Sequence, residues 1–381
     1  MQVPAKISMV EVKKVASKKE LKEFIDFPHH LYDGDENYVP ELYLAQKDLL
    51  NKNKHPFFNH STADFFIAYR DGQIVGRIAA ILNNNYNNFT GDNAGYFGFF
   101  EVIEEYEIAE LLLNTATQWV KDKGMKKLIG PANYSTNETC GILIDGFDKP
   151  PTIMMTYNKS YYPDFLEKYG LAKDVDLLSY IIYTKDIPEK LGPISDRILQ
   201  RLNDRGITIR KVNMKRYTEE VKAVHKVYNA AWEDNMGFVP MTEDEFLHAG
   251  KDMKTILDAD FLLIAEHNGQ IIGFSLIIPD MNVALKKLKK GRLLPFGLFK
   301  LLYYRNKIDR VRVITLGVLQ EYRKLGIDAY FYMKAFELAK NKNMLYGEAS
   351  WILENNEMMN KALQNINGNV YKKHRLYMKA I

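Results

Sequence analysis

Two stretches of this chain alternate apolar and polar residues around a turn dipeptide. "DFFIAYRDGQIVGRIAAIL" (64–82) turns at Asp71-Gly72, and "DFLLIAEHNGQIIGFSLII" (260–278) turns at Asn268-Gly269. Each predicts a β-hairpin. A further strand follows each hairpin, "AGYFGFFEV" (94–102) and "VRVITLGV" (311–318). Then apolar residues take helical spacing, Leu111, Leu112, Thr115 and Trp119 in one case and Ala329, Tyr332, Met333 and Phe336 in the other. The first of these helices is expected to end at Gly124. Short strands come next, "KKLIGPAN" (126–133) and "LYGEASWI" (345–352), and a helix and a terminal strand close each series. Strands of mixed order with helices between them predict an α/β fold.

The parallel between the two series extends to identities. "AYRDGQIVG" (68–76) matches "AEHNGQIIG" (265–273) at an offset of 269 − 72 = 197. Tyr32 precedes Tyr38-Val39-Pro40 as Trp232 precedes Phe238-Val239-Pro240, an offset of 200. Asn158 lies twelve residues before Gly170, and Asn356 twelve before Gly368, an offset of 198. Three matches in one order at nearly constant offset indicate a duplication. The turn-rich segment "KDIPEKLGPISD" (185–196) suggests domains of 1–190 and 191–381.

Composition narrows the class. A chain of 381 residues with one cysteine has room for two cores and no intrachain disulfide framework. A formal charge of +4 is small for this length, so no nucleic-acid partner is expected. No run reaches the ~20 apolar residues of a membrane span, and the first twenty residues lack a signal-like apolar core. A cytoplasmic protein is expected. Oligomeric state is not legible.

One turn carries chemistry. In "GVLQEYRKLGIDAY" (317–330) a strand ending at Val318 delivers the chain to a helix N-terminus, where several N–H groups lack intrahelical partners. Those donors and the helix dipole favour an anion such as a pyrophosphate. Gly326 permits the close approach or positive φ that such a nest requires, and Arg323 offers a charge-assisted contact.

With "GEASWILENNEMMNKALQNING" (347–368) after it, this turn resembles the GNAT superfamily, the acyl-CoA N-acyltransferase fold. Similar proteins carry Val, then Pro-Glu-aromatic-Arg, then Gly-x-Gly/Ala at a helix start, and later an Asn. The resemblance and the duplication imply two tandem GNAT-like domains, each a mixed, mostly antiparallel sheet flanked by helices, as in mycothiol synthases and N-myristoyltransferases. Asp328 stands where the pattern has Gly or Ala, Gln320 replaces Pro, and Gln364 stands where many members place a proton-donating tyrosine. The first copy has Glu101, Glu104, Glu105 and Glu107 at its turn, so it is expected to be degenerate, without a pyrophosphate loop. Asp328 either repels a phosphate or, facing away, complements the helix dipole.

The resemblance implies acetyl-CoA or a longer acyl-CoA as co-substrate, with no metal. Its contacts would come from the backbone near Leu316 and Val318 for the thioester oxygen, from Arg323, Lys324, Gly326, Ile327, Asp328 and Ala329 at the turn, and from Asn356, which otherwise caps a helix. Acyl transfer to an amine needs a neutral nucleophile, an oxyanion donor and a proton for the leaving sulfur. Glu348 shares a strand face with Ser350, opposite Ala349 and Trp351, and is the candidate base; the alternative is an acid bonded to loop backbone. Tyr371 or Tyr377 would supply the proton, or simply pack. Asp280 and Asn282 orient the acceptor amine or cap a turn. Trp232, Glu233, Asn235 and Phe238 shape the acceptor site or form core. Asn137 and Glu138, with Asn133 and Ser135, line a cleft between copies or build an ordered loop. Cys140 reads as a buried thiol.

These features lead to an acyl-CoA-dependent N-acyltransferase acting on a small-molecule or peptide amine. The rival is a non-catalytic tandem module that binds a metabolite or a protein. The insertion "NVALKKLKKGRLLPFGLFKLLYYRNK" (282–307) is basic, then apolar. Its apolar face is expected to dock on the other copy; peripheral membrane or lipid contact, and a contact to the adenosine 3′-phosphate, are the alternatives.

Overall fold

The computed structural model describes residues 9–233 and 237–381. The chain forms two compact units. The first comprises residues 1–176, 289–292 and 374–381; the second comprises 177–288 and 293–373. The boundary expected at 190 therefore lies inside the second unit, and the end of the chain returns to the first.

In the first unit the strands are β1 (Val10–Lys14), β2 (Thr62–Arg70), β3 (Gln73–Leu82), β4 (Ala94–Val102), β5 (Lys127–Gly130) and β6 (Ile142–Asp145). The helices are α1 (Lys18–Leu31), α2 (Tyr43–Leu49), α3 (Asn84–Thr90), α4 (Tyr106–Asp122) and α5 (Tyr162–Lys168). β1 to β5 lie side by side in order, antiparallel except for the parallel pair β4–β5. The β2–β3 turn has Asp71 at φ 49° and Gly72 at φ 77°, the pair of left-handed residues that a two-residue hairpin turn of matching twist requires. α4 buries Ile108, Ala109, Leu112, Leu113, Ala116 and Val120 against the sheet and ends, as expected, ahead of a left-handed Gly124. Of the four positions expected on its inner face, Leu112 is core and Trp119 packs beside it, whereas Leu111 is exposed and Thr115 bonds back to the Leu111 carbonyl at 2.8 Å. Residues 289–292 anchor here too: Arg292 donates to Asp26 at 2.7 and 2.9 Å and lies over the Tyr43 ring. A Cβ on Gly291 would fall 1.8 Å from the Glu41 carbonyl, so only glycine fits.

β7 (Ala172–Tyr183) leads from the first unit into the second. There follow α6 (Leu191–Asn203), β8 (Ile207–Lys211), α7 (Tyr217–Trp232), α8 (Glu243–Met253), β9 (Leu262–His267) and β10 (Gln270–Pro279). Then come α9 (Asn282–Leu285), α10 (Gly297–Arg305), β11 (Arg310–Val318), α11 (Ile327–Asn341), β12 (Tyr346–Leu353), α12 (Glu357–Gln364) and β13 (Asn369–Ala380). In this unit the strand order is β7-β12-β11-β10-β9-β8. The β9–β10 turn repeats the first hairpin, with Asn268 at φ 51° and Gly269 at φ 75°. α11 turns Ile327, Tyr330, Phe331, Ala335 and Ala339 into the core, and the expected stripe of Ala329, Tyr332, Met333 and Phe336 is half-buried beside them. β13 splits: 374–381 group with the first unit, where Tyr377 to Ala380 pair with β5, and 369–373 with the second.

Much of the apolar half of the insertion faces solvent. Leu294, Phe296, Leu298, Phe299, Leu302 and Tyr303 are all exposed. The arrangement expected for 282–307 is thus overturned for these residues, while Ala284, Leu288 and Gly297 are buried and 289–292 are anchored as described.

Candidate active site

In the second unit β11 and β12 run parallel from Arg310↔Tyr346 to Val313↔Ala349 and pair no further. β11 bulges between Val313 and Thr315, and β12 bulges between Ala349 and Ile352, where it continues along β7. The result is a fork in the sheet. Beyond it, the edge of β11 away from β10 is unpaired by β12. Leu319 N–H donates to Ile272 of β10 at 2.9 Å. Alternation along the strand then turns the amides of Val318 and Leu316 toward the fork.

At the root of the fork sits a buried polar chain. Arg312 and Glu348 are register partners. Arg312 Nε donates to Ser350 Oγ at 3.0 Å, Ser350 Oγ donates to Glu348 Oε1 at 2.6 Å, and Tyr371 donates to Glu348 Oε2. Glu348 has no solvent exposure. As expected it shares a face with Ser350, and each of its oxygens accepts a hydrogen bond. Burial, then the Glu348 charge and its hydrogen bond, push the Tyr371 phenol far above its ordinary range, and Asp280 adds to the shift. Asp280 is buried beside them; its carboxylate accepts from the Asn282 amide at 3.1 Å, and its own amide donates to the Arg310 carbonyl. The fold therefore gathers Glu348, Tyr371 and Asp280 from three distant strand ends. Arg312, invisible in the sequence reading, holds the chain from below. Tyr377 does not join it: fully buried, it donates to Glu167 at 3.0 Å.

The anion turn leaves its donors free of side-chain caps. A short helical turn (Gln320–Tyr322) leads to Lys324 at φ 68° and Gly326 at φ 95°, and α11 begins with no side-chain cap. Asp328 is exposed and caps nothing. Arg323 is exposed, and its guanidinium is held by main-chain oxygens: its Nη2 donates to the Ala231 carbonyl at 2.9 Å, and its Nε reaches Val318 O at 3.4 Å. A different cation flanks the glycine. Arg201 Nη2 of α6 stands 3.7 Å from where a Cβ on Gly326 would be. Among the turn residues Lys324 is exposed, Ala329 half-buried and Ile327 core. Asn356 caps α12, its side chain accepting from Met359 N at 3.1 Å.

The expected acceptor residues divide. Trp232 ends α7, stacked on Tyr228 at 5.9 Å; Phe238 is core beside the same ring; Glu233 is exposed. Asn235 lies outside the described residues. Asn137 and Glu138 belong to the first unit, where their amides donate to Ser135 Oγ and the Ser135 carbonyl in a turn.

The fork of the first unit is filled by its own chain. β4 bulges at Phe99, whose amide donates to Asn133 Oδ1 at 2.8 Å. The Ala132 amide takes the Phe97 carbonyl, and a Cβ on Gly98 would meet Ala132 O at 2.2 Å. Glu101 is not in the turn, where the sequence reading put it. It is the next-to-last residue of β4, accepting from Tyr32 and Tyr162 at 2.8 Å each, and burial raises its carboxyl. Glu105 is paired with Arg70.

Known proteins fit this architecture. The model of the acetyltransferase (GNAT) family matches residues 29–138, in the first unit. The chain is 34% identical over 377 residues to Protein YghO of Escherichia coli (strain K12), covering 97% of this chain and 95% of the relative. It is 34% identical over 386 residues to the Bacterial ceramide synthase of Caulobacter vibrioides (strain NA1000 / CB15N), covering 99% and 98%. A tandem GNAT protein from the clavulanic acid biosynthesis pathway aligns over 98% of both chains with a TM-score of 0.55 at 10% identity, a likeness of fold alone. Duplicated hairpins, bulged central strands and whole-length relatives agree, and the chain belongs to the GNAT superfamily as a tandem member, in the family of YghO and the bacterial ceramide synthase.

Proposed function

We propose that the second unit transfers an acyl group from a coenzyme A thioester to the primary amine of a long-chain amino alcohol. The Tyr371–Glu348 hydrogen bond at the root of the fork carries this reading. The acceptor class comes from the relative called a ceramide synthase, ceramide being the N-acyl derivative of such an alcohol.

The chain's own groups suit the steps. The uncapped amides at Lys324–Ala329 and the Arg201 guanidinium favour the pyrophosphate. The Val318 and Leu316 amides, turned toward the fork, suit the thioester oxygen as it gains charge. The neutral amine forms the C–N bond, and the C–S bond breaks. Tyr371 takes the proton shed by the amine on its hydroxyl oxygen while passing its own to Glu348, and returns it to the leaving thiolate. Glu348 thus acts through Tyr371, and Arg312 and Ser350 hold it in place.

The test is release of free coenzyme A by the purified chain, given acetyl- or palmitoyl-CoA with sphinganine, short amines or amino acids. Release with the long-chain amine and palmitoyl-CoA, with formation of the amide, is expected. Release with no amine in the panel would reject the reaction.

A further inference from the structure

Residues Met281–Ile308 contain eight Lys or Arg and no Asp or Glu. The whole chain carries +4, so the remaining residues sum to 4 − 8 = −4. Positive charge is concentrated in one stretch of an otherwise slightly acidic protein. The largest run of exposed apolar side chains lies in the same stretch: Leu294 is 81% exposed, and Phe296 and Phe299 are each 70% exposed.

On α10 the 100° step per residue sets Leu298, Phe299, Leu302 and Tyr303 along one outward face. Leu301, Tyr304 and the buried Gly297 take the opposite face. Lys300 and Arg305 fall at the two margins, and both are exposed. The usual polarity of a surface helix is inverted, with the apolar side outermost and a cationic rim. Lys307 sits 4.4 Å over the Tyr303 ring, which keeps its charge beside the apolar face. Apolar side chains rimmed by long cations are the pattern of a helix lying in a lipid headgroup region. A second copy of the chain is a poor occupant, because it would bring like charge against like.

We infer that the segment Leu293–Lys307 seats on an anionic phospholipid bilayer. Its apolar residues enter the headgroup boundary, and Lys300, Arg305 and Lys307 meet lipid phosphates. The surface stands independently of the acyl transfer proposed above: a chain inert toward every amine would still bind vesicles. If both hold, the acceptor is drawn from the membrane on which the protein rests.

Vesicle co-sedimentation of the full chain tests this. With phosphatidylcholine–phosphatidylglycerol vesicles at low salt the chain sediments, and rising salt releases it. Phe296→Ser/Phe299→Ser lowers binding by about tenfold or more, and Lys300→Glu/Lys307→Glu removes the salt-sensitive part. All four positions are exposed, and unchanged circular dichroism confirms folding. A wild-type chain left in the supernatant at low salt, or binding indifferent to the phenylalanines, overturns the inference. So does dimerisation without lipid that the phenylalanine variant abolishes, since that outcome assigns the face to a second copy.

Discussion

Tyr371, on the last strand, donates a hydrogen bond to Glu348, a carboxylate sealed from solvent. Two residues 23 positions apart, on different strands, form one hydrogen-bonded unit, and their substitutions should not add. Tyr371→Phe is expected to lower kcat by about 10²-fold or more, the usual size of a lost proton-transfer group. Glu348→Gln should fall in the same range, and the double variant should be little worse than either. Steady-state kinetics of the three variants decide; additive losses would separate the pair.

Asp328 is the acid at the anion turn, and it faces solvent. Asp328→Ala should tighten acyl-CoA binding by about 2- to 5-fold at low salt, since one like charge leaves the helix N-terminus. The gain should fade as salt rises. Calorimetric titration at two ionic strengths reads both effects.

Gly326 stands at φ 95°, with Ile198 Cγ2 only 3.3 Å from a future Cβ. Gly326→Ala should cost about 1–2 kcal/mol of stability for the left-handed backbone alone. It should also weaken acyl-CoA binding as the nest deforms. A thermal melt together with a titration separates this from Arg201→Ala, which should weaken binding by about tenfold without lowering the melting point.

His29, in α1 of the first unit, is held neutral. Burial, with Arg77, Lys290 and Arg292 adding to it against Asp26, lowers its pKa from 6.5 to about 4. The native chain therefore binds fewer protons than the unfolded one between those values, and stability should fall as pH drops from 6.5 toward 4. At full extent the loss is about 3 kcal/mol. Glu101, raised by burial, has the opposite sign: its contribution weakens as pH rises above 4.5. Melting points measured across this range should fall more gently on the acid side in His29→Gln.

The hairpins were legible because Asp71-Gly72 and Asn268-Gly269 announce their turn chemistry locally. The faces of α4 and α11 were not, since the stripe that packs depends on the angle at which a helix meets its sheet. Leu111 and Thr115 share the spacing of the true core residues and miss it by part of a turn. Glu348 and Tyr371 stood out by residue type and position, and the fold brings them into hydrogen-bonding contact; Arg312 did not, because its place beside them comes from pairing across strands with residue 348. Arg323 stood out by adjacency to the glycine, and its bond to the Ala231 carbonyl, 92 residues away, was not legible; nor was the approach of Arg201, which comes to Gly326 from a helix more than a hundred residues earlier.

The closing strand has a temporal implication. Residues 374–381 complete the unit that opens the chain, yet His374 comes 198 positions after Asp176 (374 − 176). At about 5–20 residues per second of synthesis, the early half waits about 10–40 s for its last strand. During that interval β5 presents an unfilled edge, which invites pairing with a neighbouring nascent chain. A fragment ending at 190 should therefore aggregate or need a chaperone, and adding a peptide of residues 369–381 should restore its solubility.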